Sequence, residues 1–227
     1  MCGRFTLTSD LEEIQLAFDI DKINVDVQPR YNIAPSQTVA VIHGSSGHRV
    51  LEGYRWGLVP FWAKDKKIGY KTINARAETV QKKPAFRHLI ERNRIIIPSD
   101  GFYEWKREGK RNKQPYRFQI KSKGLYAFAG LYDEWKSPEG EVLKSCTIIT
   151  TAANKVVGQI HDRMPVILNQ NGVNAWLDPE FTDKQQLQDL LIPYPDDLMV
   201  SYPVSKDVGN VKNTNAELIK EVTLNSK

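Results

Sequence analysis

The amino-acid sequence predicts a single α+β domain over residues 1–227, built on a strongly bent, mainly antiparallel β-sheet or barrel with a few flanking helices. Short segments rich in β-branched and aromatic residues recur along the chain, each bounded by Gly, Pro or polar clusters. Few segments show helical periodicity. No repeat, low-complexity tract or Ser/Gly-rich linker divides the 227 residues, a length that can bury a full apolar core.

The predicted elements follow from local patterns. A helix is predicted from about Asp10 to Phe18, because Ser9 and Glu12 form a capping-box pattern and Leu11, Ile14, Leu16 and Phe18 supply an apolar face. The prolines near both ends of Gln28–Ser36 predict an extended, ordered loop. Further helical segments are predicted at Lys83–Arg92, Val173–Leu177 and Asp183–Leu191. The predicted strands are Val39–His43, Val50–Leu58, Ile95–Pro98, Tyr116–Ile120, Tyr126–Tyr132, Cys146–Thr151, Pro165–Leu168 and Met199–Tyr202. We expect part of the tail beyond about Lys206 to be mobile.

Composition excludes several classes of protein. With 41% hydrophobic and 26% charged residues, the chain is neither disordered nor fibrous. It has no apolar run of membrane-spanning length, and its start lacks a secretory signal pattern. Two cysteines, Cys2 and Cys146, cannot make a disulfide framework, and no metal-ligand spacing or phosphate-binding glycine loop is present. We therefore expect a cytoplasmic protein whose site needs neither metal nor cofactor, and we interpret Cys146 as a buried small hydrophobe.

The positive charge is concentrated in one part of the chain. Residues 55–117 contain 17 Lys/Arg against 6 Asp/Glu, whereas the remainder contains 15 against 21, and together they give the net charge of +5. Such a split indicates one basic surface on a mildly acidic body, which would attract a polyanion such as nucleic acid. Lysines scattered over solvated loops would give the same count.

The N-terminal sequence MCGRF points to an unusual nucleophile. The small second residue favours removal of Met1, which would make Cys2 the mature N-terminus and give it both an α-amine and a thiol. An α-amine has a reference pKa of about 7.7–8.0, so a sizeable fraction is neutral and nucleophilic at pH 7. An aldehyde would form a Schiff base with this amine, and the thiol could close the adduct into a thiazolidine ring. Taken alone, a cysteine at position 2 usually has no specific function.

Four further segments carry residues suited to chemistry. In INARAET, Asn74, Arg76 and Glu78 alternate and share one face of an extended segment. In PSDGFYEWK, Glu104 stands between Tyr103 and Trp105, and we expect desolvation by aromatic neighbours to raise its pKa.

The other two segments are IHDRMP and WGLVPFWAK. His161 lies in IHDRMP, within a dense polar cluster, and is a candidate for catalysis. The alternative is a structural histidine that forms hydrogen bonds to its neighbours Asp162 and Arg163. In the second, we assign Trp56 to the core, and Trp62 beside Lys64 is the candidate for stacking on single-stranded nucleic acid.

Together with RYNIAPSQ and RIIIPSDGFYEW, these segments resemble, in order and spacing from residue 2 to about 205, the SOS-response-associated peptidase (SRAP) family of abasic-site-processing proteins. The resemblance implies a sensor that cross-links through its N-terminal cysteine to abasic sites in single-stranded DNA and shields the lesion. It implies a monomer that associates with the nucleoid and not with a membrane. The family's Arg/Cys-rich strand here reads Arg94-Ile95-Ile96-Ile97, without a cysteine.

Carried over by motif, the resemblance assigns roles to individual residues. Cys2 is the nucleophile, Asn74 positions it and the sugar, Glu104 handles protons, and His161 does the same at the sugar. Four residues would contact the DNA: Arg4 and Arg76 at phosphates, Trp62 at the gap left by the missing base, and Trp105.

Three classes of function stay open at this point. The first is a covalent abasic-site sensor with associated lyase-type chemistry. The second is a thiol autopeptidase that acts on its own N-terminus, an activity the family name implies but for which the sequence offers no clear proteolytic triad. The third is a non-covalent single-strand-binding module. The aminothiol of Cys2 separates the first class from the third, because simple binding has no need of it.

Overall fold

The computed structural model describes residues 2–45, 47–109, 112–122 and 124–224. Its strands are β1 (Phe5–Leu7), β2 (Lys22–Ile23), β3 (Arg30–Ile33), β4 (Thr38–Ser45), β5 (His48–Trp56), β6 (Asn74–Arg76), β7 (Arg94–Ser99), β8 (Gly101–Glu108), β9 (Asn112–Ile120), β10 (Tyr126–Lys136), β11 (Val142–Ala152), β12 (Arg163–Pro165), β13 (Ile167–Leu168) and β14 (Met199–Pro203). Its α-helices are α1 (Leu11–Phe18), α2 (Lys155–Gly158), α3 (Gln170–Leu177) and α4 (Lys184–Asp189). Short 3-10 segments cover Lys66–Lys71, Asp196–Leu198, Lys206–Gly209 and Ala216–Ile219.

Five strands close into a mixed barrel in the order β4, β5, β11, β10 and β7. The pairs are antiparallel except β5–β11, where Ser145 and Cys146 lie parallel to Arg55 and Trp56. A pairing between Ile42 and Ile96 closes the ring. The barrel interior and its surroundings are filled by aliphatic and aromatic side chains, as the predicted bent, mainly antiparallel α+β architecture requires. The predicted fold class is confirmed.

A second, antiparallel sheet has the strand order β14, β9, β8, β1 and β3. The chain passes from the barrel strand β7 into β8 through a bend at Asp100, so the two sheets share one continuous segment. Gly101 permits this bend to pack tightly, because a Cβ atom there would lie 2.5 Å from Nε of Arg117. Arg117 in turn pairs with Asp100 at 3.1 Å, and both side chains are buried. The junction therefore fixes the N-terminal end of β8, the strand that carries Glu104.

The tail after β14 packs against the outer face of this second sheet. Val204, Val208 and Leu218 are buried there with Tyr103, and Val204 bridges Glu221. Residues 225–227 lie outside the described part of the chain. The mobility expected for part of the tail stays a prediction, but its path along the sheet brings it close to the N-terminal segment.

Most predicted strands form, usually longer than predicted, and the segment Pro165–Leu168 divides into β12 and β13. The prediction of a loop over Gln28–Ser36 is wrong at its centre, where β3 pairs with β1. That pairing joins segments distant in sequence, so local proline signals could not reveal it. The sequence patterns also miss the short strands β1, β2 and β6, because these strands pair with segments that are distant in sequence.

Two helix predictions need correction. The side chain that caps α1 is Asp10, whose Oδ1 accepts the Glu13 N–H at 2.9 Å, and not Ser9. Leu16 does not belong to the apolar face, because it is 83% exposed. Over Lys83–Arg92 the chain makes successive turns and no continuous helix. Pro84 lacks an N–H, and the buried side chains of Phe86, Leu89 and Ile90 hold the turns in place.

None of the helices in the described residues has the length and apolar character needed to cross a bilayer.

Candidate active site

The N-terminal segment enters the protein between two strands of the second sheet. β1 pairs with β3 on one side and β8 on the other, and the Tyr103 N–H donates to the carbonyl oxygen of Arg4 at 2.9 Å. Two residues earlier, Cys2 is fully buried in the main hydrophobic cluster. The expected removal of Met1 concerns a residue outside the described part of the chain. The strand pairing therefore holds Cys2 at a defined place in the protein.

The Cys2 thiol lies in an environment that favours its protonated form. Burial raises the pKa of the thiol strongly, and the nearby Glu104 carboxylate raises it further, whereas a backbone hydrogen bond from Arg4 lowers it. A thiolate here would stand next to a second buried negative charge. At neutral pH the sulfur is therefore a thiol with a proton acceptor beside it.

Glu104 lies on β8 and is only 3% exposed. Burial raises the pKa of its carboxyl group to about 7, and the negative charge of Asp162 contributes in the same direction. The predicted rise in the pKa of Glu104 is confirmed, but the prediction that Tyr103 and Trp105 desolvate its carboxyl group is wrong. Tyr103 and Trp105 pack on the opposite face of β8, with the tail cluster. Two aromatic residues share the face of Glu104: Phe102, two positions earlier on β8, and Tyr116, the cross-strand partner of Glu104 on β9.

His161 stands beside Glu104. Its Nε2 atom lies 4.0 Å from Oε2 of Glu104, and its Nδ1 accepts the Arg163 N–H at 3.0 Å. Burial lowers the pKa of the imidazole, although Asp162, 3.0 Å from Nδ1, opposes this. The ring is thus neutral near pH 7. The hydrogen bond from the Arg163 N–H to Nδ1 favours the tautomer that carries its proton on Nε2, the ring nitrogen nearer Glu104.

Strand β6 presents the alternating residues of the INARAET segment as predicted. Arg76 and Glu78 are exposed and Asn74 is half-buried, whereas Ala75 and Ala77 between them are fully buried. Asn74 Nδ2 donates to the Ile73 carbonyl at 3.1 Å. Its Oδ1 is buried and has no hydrogen-bond partner among the described residues. Asn74 therefore offers a desolvated acceptor that a ligand group could satisfy.

The predicted DNA contacts are distributed over several segments. Trp62 follows β5 and is 47% exposed, next to Phe61, which is 61% exposed. Trp56 is fully buried, as assigned. Arg76 is exposed on β6, and the half-buried Trp105 ring lies under the guanidinium of Arg4 at 5.7 Å. An open groove beside His161 is lined by Trp105, Lys106, Arg107, Gln159, Ile160, His161 and Asp162.

Comparison with known proteins identifies the family of the chain. The sequence profile described as SOS response associated peptidase (SRAP) matches residues 1–211. The chain belongs to the SRAP family. It is 50% identical over 222 residues to the abasic site processing protein YoqW of Bacillus subtilis, covering 97% of this chain and 99% of YoqW. It is 51% identical over 221 residues to YoaM of the same organism, covering 96% and 97% of the two chains.

A solved structure of similar shape supports the same assignment. The crystal structure of a protein from Bacteroides thetaiotaomicron has a TM-score of 0.88 and 28% identity, with coverage of 98% of this chain and 100% of the other. The fold is therefore shared over nearly the whole length of both chains.

In this SRAP chain one arginine was not among the predicted site residues. Arg163 donates from Nη1 and Nη2 to the two carboxylate oxygens of Glu78, at 2.6 and 2.9 Å, and from Nη2 to the Thr150 carbonyl at 2.8 Å. Its backbone N–H also orients His161. Arg163 thus ties the segment after β6 to the His161 segment. Arg163 and Glu78 both lie within motifs quoted in the sequence analysis, but only the tertiary structure shows that they form a pair.

The charge of Glu104 acts on the Cys2 thiol, and His161 lies 4.0 Å from Glu104. The structure thus brings these three predicted residues together, whereas Trp62 lies on a separate surface segment. Cys146, the other cysteine, is fully buried in the barrel wall, as interpreted from the sequence. Within the described residues no group of three or more His, Cys, Asp or Glu is arranged to hold a metal ion. Cys2, Glu104 and His161 bring a thiol, a carboxyl group and a neutral imidazole to this site.

Proposed function

We propose that this protein recognises abasic sites in single-stranded DNA and cross-links to them through Cys2, forming a thiazolidine with the ring-opened sugar. The observation that carries the proposal is that the buried Cys2 thiol lies within the influence of the Glu104 charge, and that the pKa of Glu104, about 7, suits proton transfer. The names of the relatives YoqW and YoaM, both abasic site processing proteins, support the choice of lesion.

The reaction begins at the sugar. An abasic sugar is mostly a closed hemiacetal, and only the open form presents the C1′ aldehyde. Proton transfer within the Glu104–His161 pair gives a carboxylate and an imidazolium. The imidazolium protonates O4′ as the C1′–O4′ bond breaks, and the C1′ hydroxyl gives its proton to the Glu104 carboxylate, so the pair is left as a carboxylic acid and a neutral imidazole. Asn74 Oδ1, a buried acceptor without a partner among the described residues, can receive a hydrogen bond from a sugar hydroxyl. These residues would select and orient the open aldehyde.

The next steps make the covalent bond. With Met1 removed, the Cys2 α-amine attacks C1′ and forms a carbinolamine. The protonated Glu104 donates its proton to the departing hydroxyl, water leaves, and an iminium forms. Glu104 is now a carboxylate beside the thiol, so it accepts the thiol proton as Sγ adds to the same carbon. The carboxyl group ends the sequence protonated, as it began.

Ring closure also determines the fate of the strand. The iminium favours β-elimination of the 3′ phosphate, which would cleave the DNA as a lyase does. The thiazolidine removes the iminium and so protects the strand. Lyase activity is therefore expected as a minor outcome whose share rises when ring closure is slow.

The decisive experiment uses a single-stranded oligonucleotide with one abasic site, analysed on a denaturing gel. The wild-type protein should give a heat-stable shifted band, and an oligonucleotide with a reduced abasic site, which lacks the aldehyde, should give none. Cys2→Ala should lose the stable band yet leave an adduct that borohydride traps through the new terminal amine. A heat-resistant adduct from Cys2→Ala, or full retention of Met1 in the intact mass of cross-linking protein, would overturn the mechanism.

A further inference from the structure

Asn32 joins three parts of the protein that are distant in sequence. It lies on β3 and is 4% exposed. Its Oδ1 accepts a hydrogen bond from Nη1 of Arg4 at 2.7 Å. Its Nδ2 donates to the carbonyl oxygens of Val208, Asn210 and Asn213 at 3.3, 3.1 and 2.8 Å. One buried amide thus connects the N-terminal segment with the tail that follows β14.

The tail is held in place independently of Asn32. We call residues 204–222 the C-terminal strap. Val204, Val208 and Leu218 are buried against Tyr103, and the Val222 N–H donates to the Pro203 carbonyl at 3.0 Å. The Val208 carbonyl also accepts from Nη1 of Arg4 at 2.6 Å. The strap therefore reaches Arg4 both directly and through Asn32.

The groups that hold Arg4 are all neutral. They are an amide oxygen, a backbone carbonyl and the Trp105 ring, and Arg4 forms no ion pair with any carboxylate of the described residues. Its hydrogen bonds to those residues all leave from Nη1, and its buried Nε has no partner among them. Elsewhere at this end of the protein Arg163 pairs with Glu78 and Arg117 with Asp100. Neutral acceptors orient a guanidinium without cancelling its charge, whereas a carboxylate would cancel it.

We propose that Asn32 and the C-terminal strap form a positioning device that holds the Arg4 guanidinium in place, two residues from Cys2, with its charge available to a phosphate of the damaged strand. This inference rests on the proposed function. Asn32 itself touches no substrate; it is a positioning residue that acts through Arg4. The strap thereby becomes part of the DNA-binding apparatus.

The test measures non-covalent binding, so that it is separate from cross-linking. The probe is a single-stranded oligonucleotide with a tetrahydrofuran abasic analogue, which has no aldehyde, titrated at several salt concentrations. Asn32→Asp places a carboxylate next to Arg4 and should weaken binding about tenfold at low salt. The slope of log K against log salt should fall by about 0.7, the loss of one phosphate contact on a single strand. Asn24→Asp, the same charge change at an exposed position, is the matched control.

A double-mutant cycle distinguishes positioning from a general structural role. In an Arg4→Ala background, Asn32→Asp should cause little additional loss of affinity, because the residue through which it acts is gone. Additive losses, or an unchanged salt slope in Asn32→Asp, would overturn the proposal. If Asn32→Asp fails to fold, Leu218→Ala offers a second test, because it loosens the strap without altering Asn32 or Arg4. This variant should also lower the slope of log K against log salt. Failure of the wild-type protein to cross-link an abasic site would instead contradict the proposed function.

Discussion

The Nε2 atom of His161 lies 4.0 Å from Oε2 of Glu104. Burial shifts the two groups in opposite directions, raising the pKa of the carboxyl group to about 7 and lowering the pKa of the imidazole. At neutral pH the carboxyl group is about half protonated and the imidazole is neutral. The pair therefore holds one acidic proton, which it can pass to a sugar oxygen and, after regaining it from the sugar hydroxyl, to a leaving hydroxyl.

The cross-linking rate should depend on the protonation of Glu104. The α-amine becomes more reactive as pH rises, whereas Glu104 loses the proton needed for dehydration as pH passes about 7. The wild-type rate should thus follow a bell-shaped profile. Glu104→Gln should be slower by ~10²-fold or more and should lose the alkaline fall. Single-turnover rates across the pH range check this, and an alkaline fall that persists in Glu104→Gln would contradict the assignment.

The same group should make stability depend on pH. Because its pKa is raised from 4.5 to about 7 in the folded state, the stability contributed by the protonated form is complete below pH 4.5 and is lost as pH rises through about 7. The shift corresponds to roughly 3 kcal/mol as an upper value. Glu104→Gln should therefore be more stable than wild type at pH 8 and similar at pH 4, as measured by urea unfolding. The exposed Glu12→Gln should show no such difference.

His161 should act before the covalent step. His161→Ala should slow cross-linking to a natural abasic site on the order of 10²-fold, because ring opening loses its acid. Cross-linking to an oligonucleotide that carries a permanently open-chain aldehyde should change little. Equal slowing with both substrates would place His161 in a later step or in a purely structural role.

Trp62 should contribute to affinity and not to stability. Its ring is 47% exposed, so Trp62→Ala removes a surface that can stack on a base and should weaken binding by ~1–3 kcal/mol. Trp62→Phe should retain most of the affinity, and thermal melting should be unchanged in both variants. Leu16→Ala, which removes another exposed apolar side chain, serves as the control. An unaffected affinity in Trp62→Ala would exclude the stacking role.

The cap of α1 offers a test of the fold. Asp10 accepts the Glu13 N–H at 2.9 Å, so Asp10→Ala should lower the free energy of unfolding by ~1 kcal/mol. Ser9→Ala should lower it by only a few tenths of this amount, since Ser9 is not the cap. Chemical denaturation of the two variants measures the difference, and the reverse order would restore the cap predicted from the sequence.

Local sequence pattern predicted much of the site. The alternation of Asn74, Arg76 and Glu78 followed from the two-residue period of an extended chain, which requires no knowledge of partners. The same two-residue period could have corrected the prediction about the surroundings of Glu104. In an extended segment Tyr103 and Trp105 lie on the face opposite to Glu104, the residue between them. The direction of the pKa shift was nevertheless right, since burial by any apolar neighbours raises it.

The sequence by itself determined the fold class, the chemical character of Cys2, Glu104 and His161, and through its ordered motifs the SRAP family. Only the tertiary structure decided that Tyr116 pairs with Glu104 across β8 and β9, that Arg163 pairs with Glu78, and that Asn32 ties the C-terminal strap to Arg4. The physical reason is the range of the interactions. Strand periodicity and turn signals act between near neighbours, whereas sheet pairing and the hydrogen bonds of a buried amide join residues up to 181 positions apart.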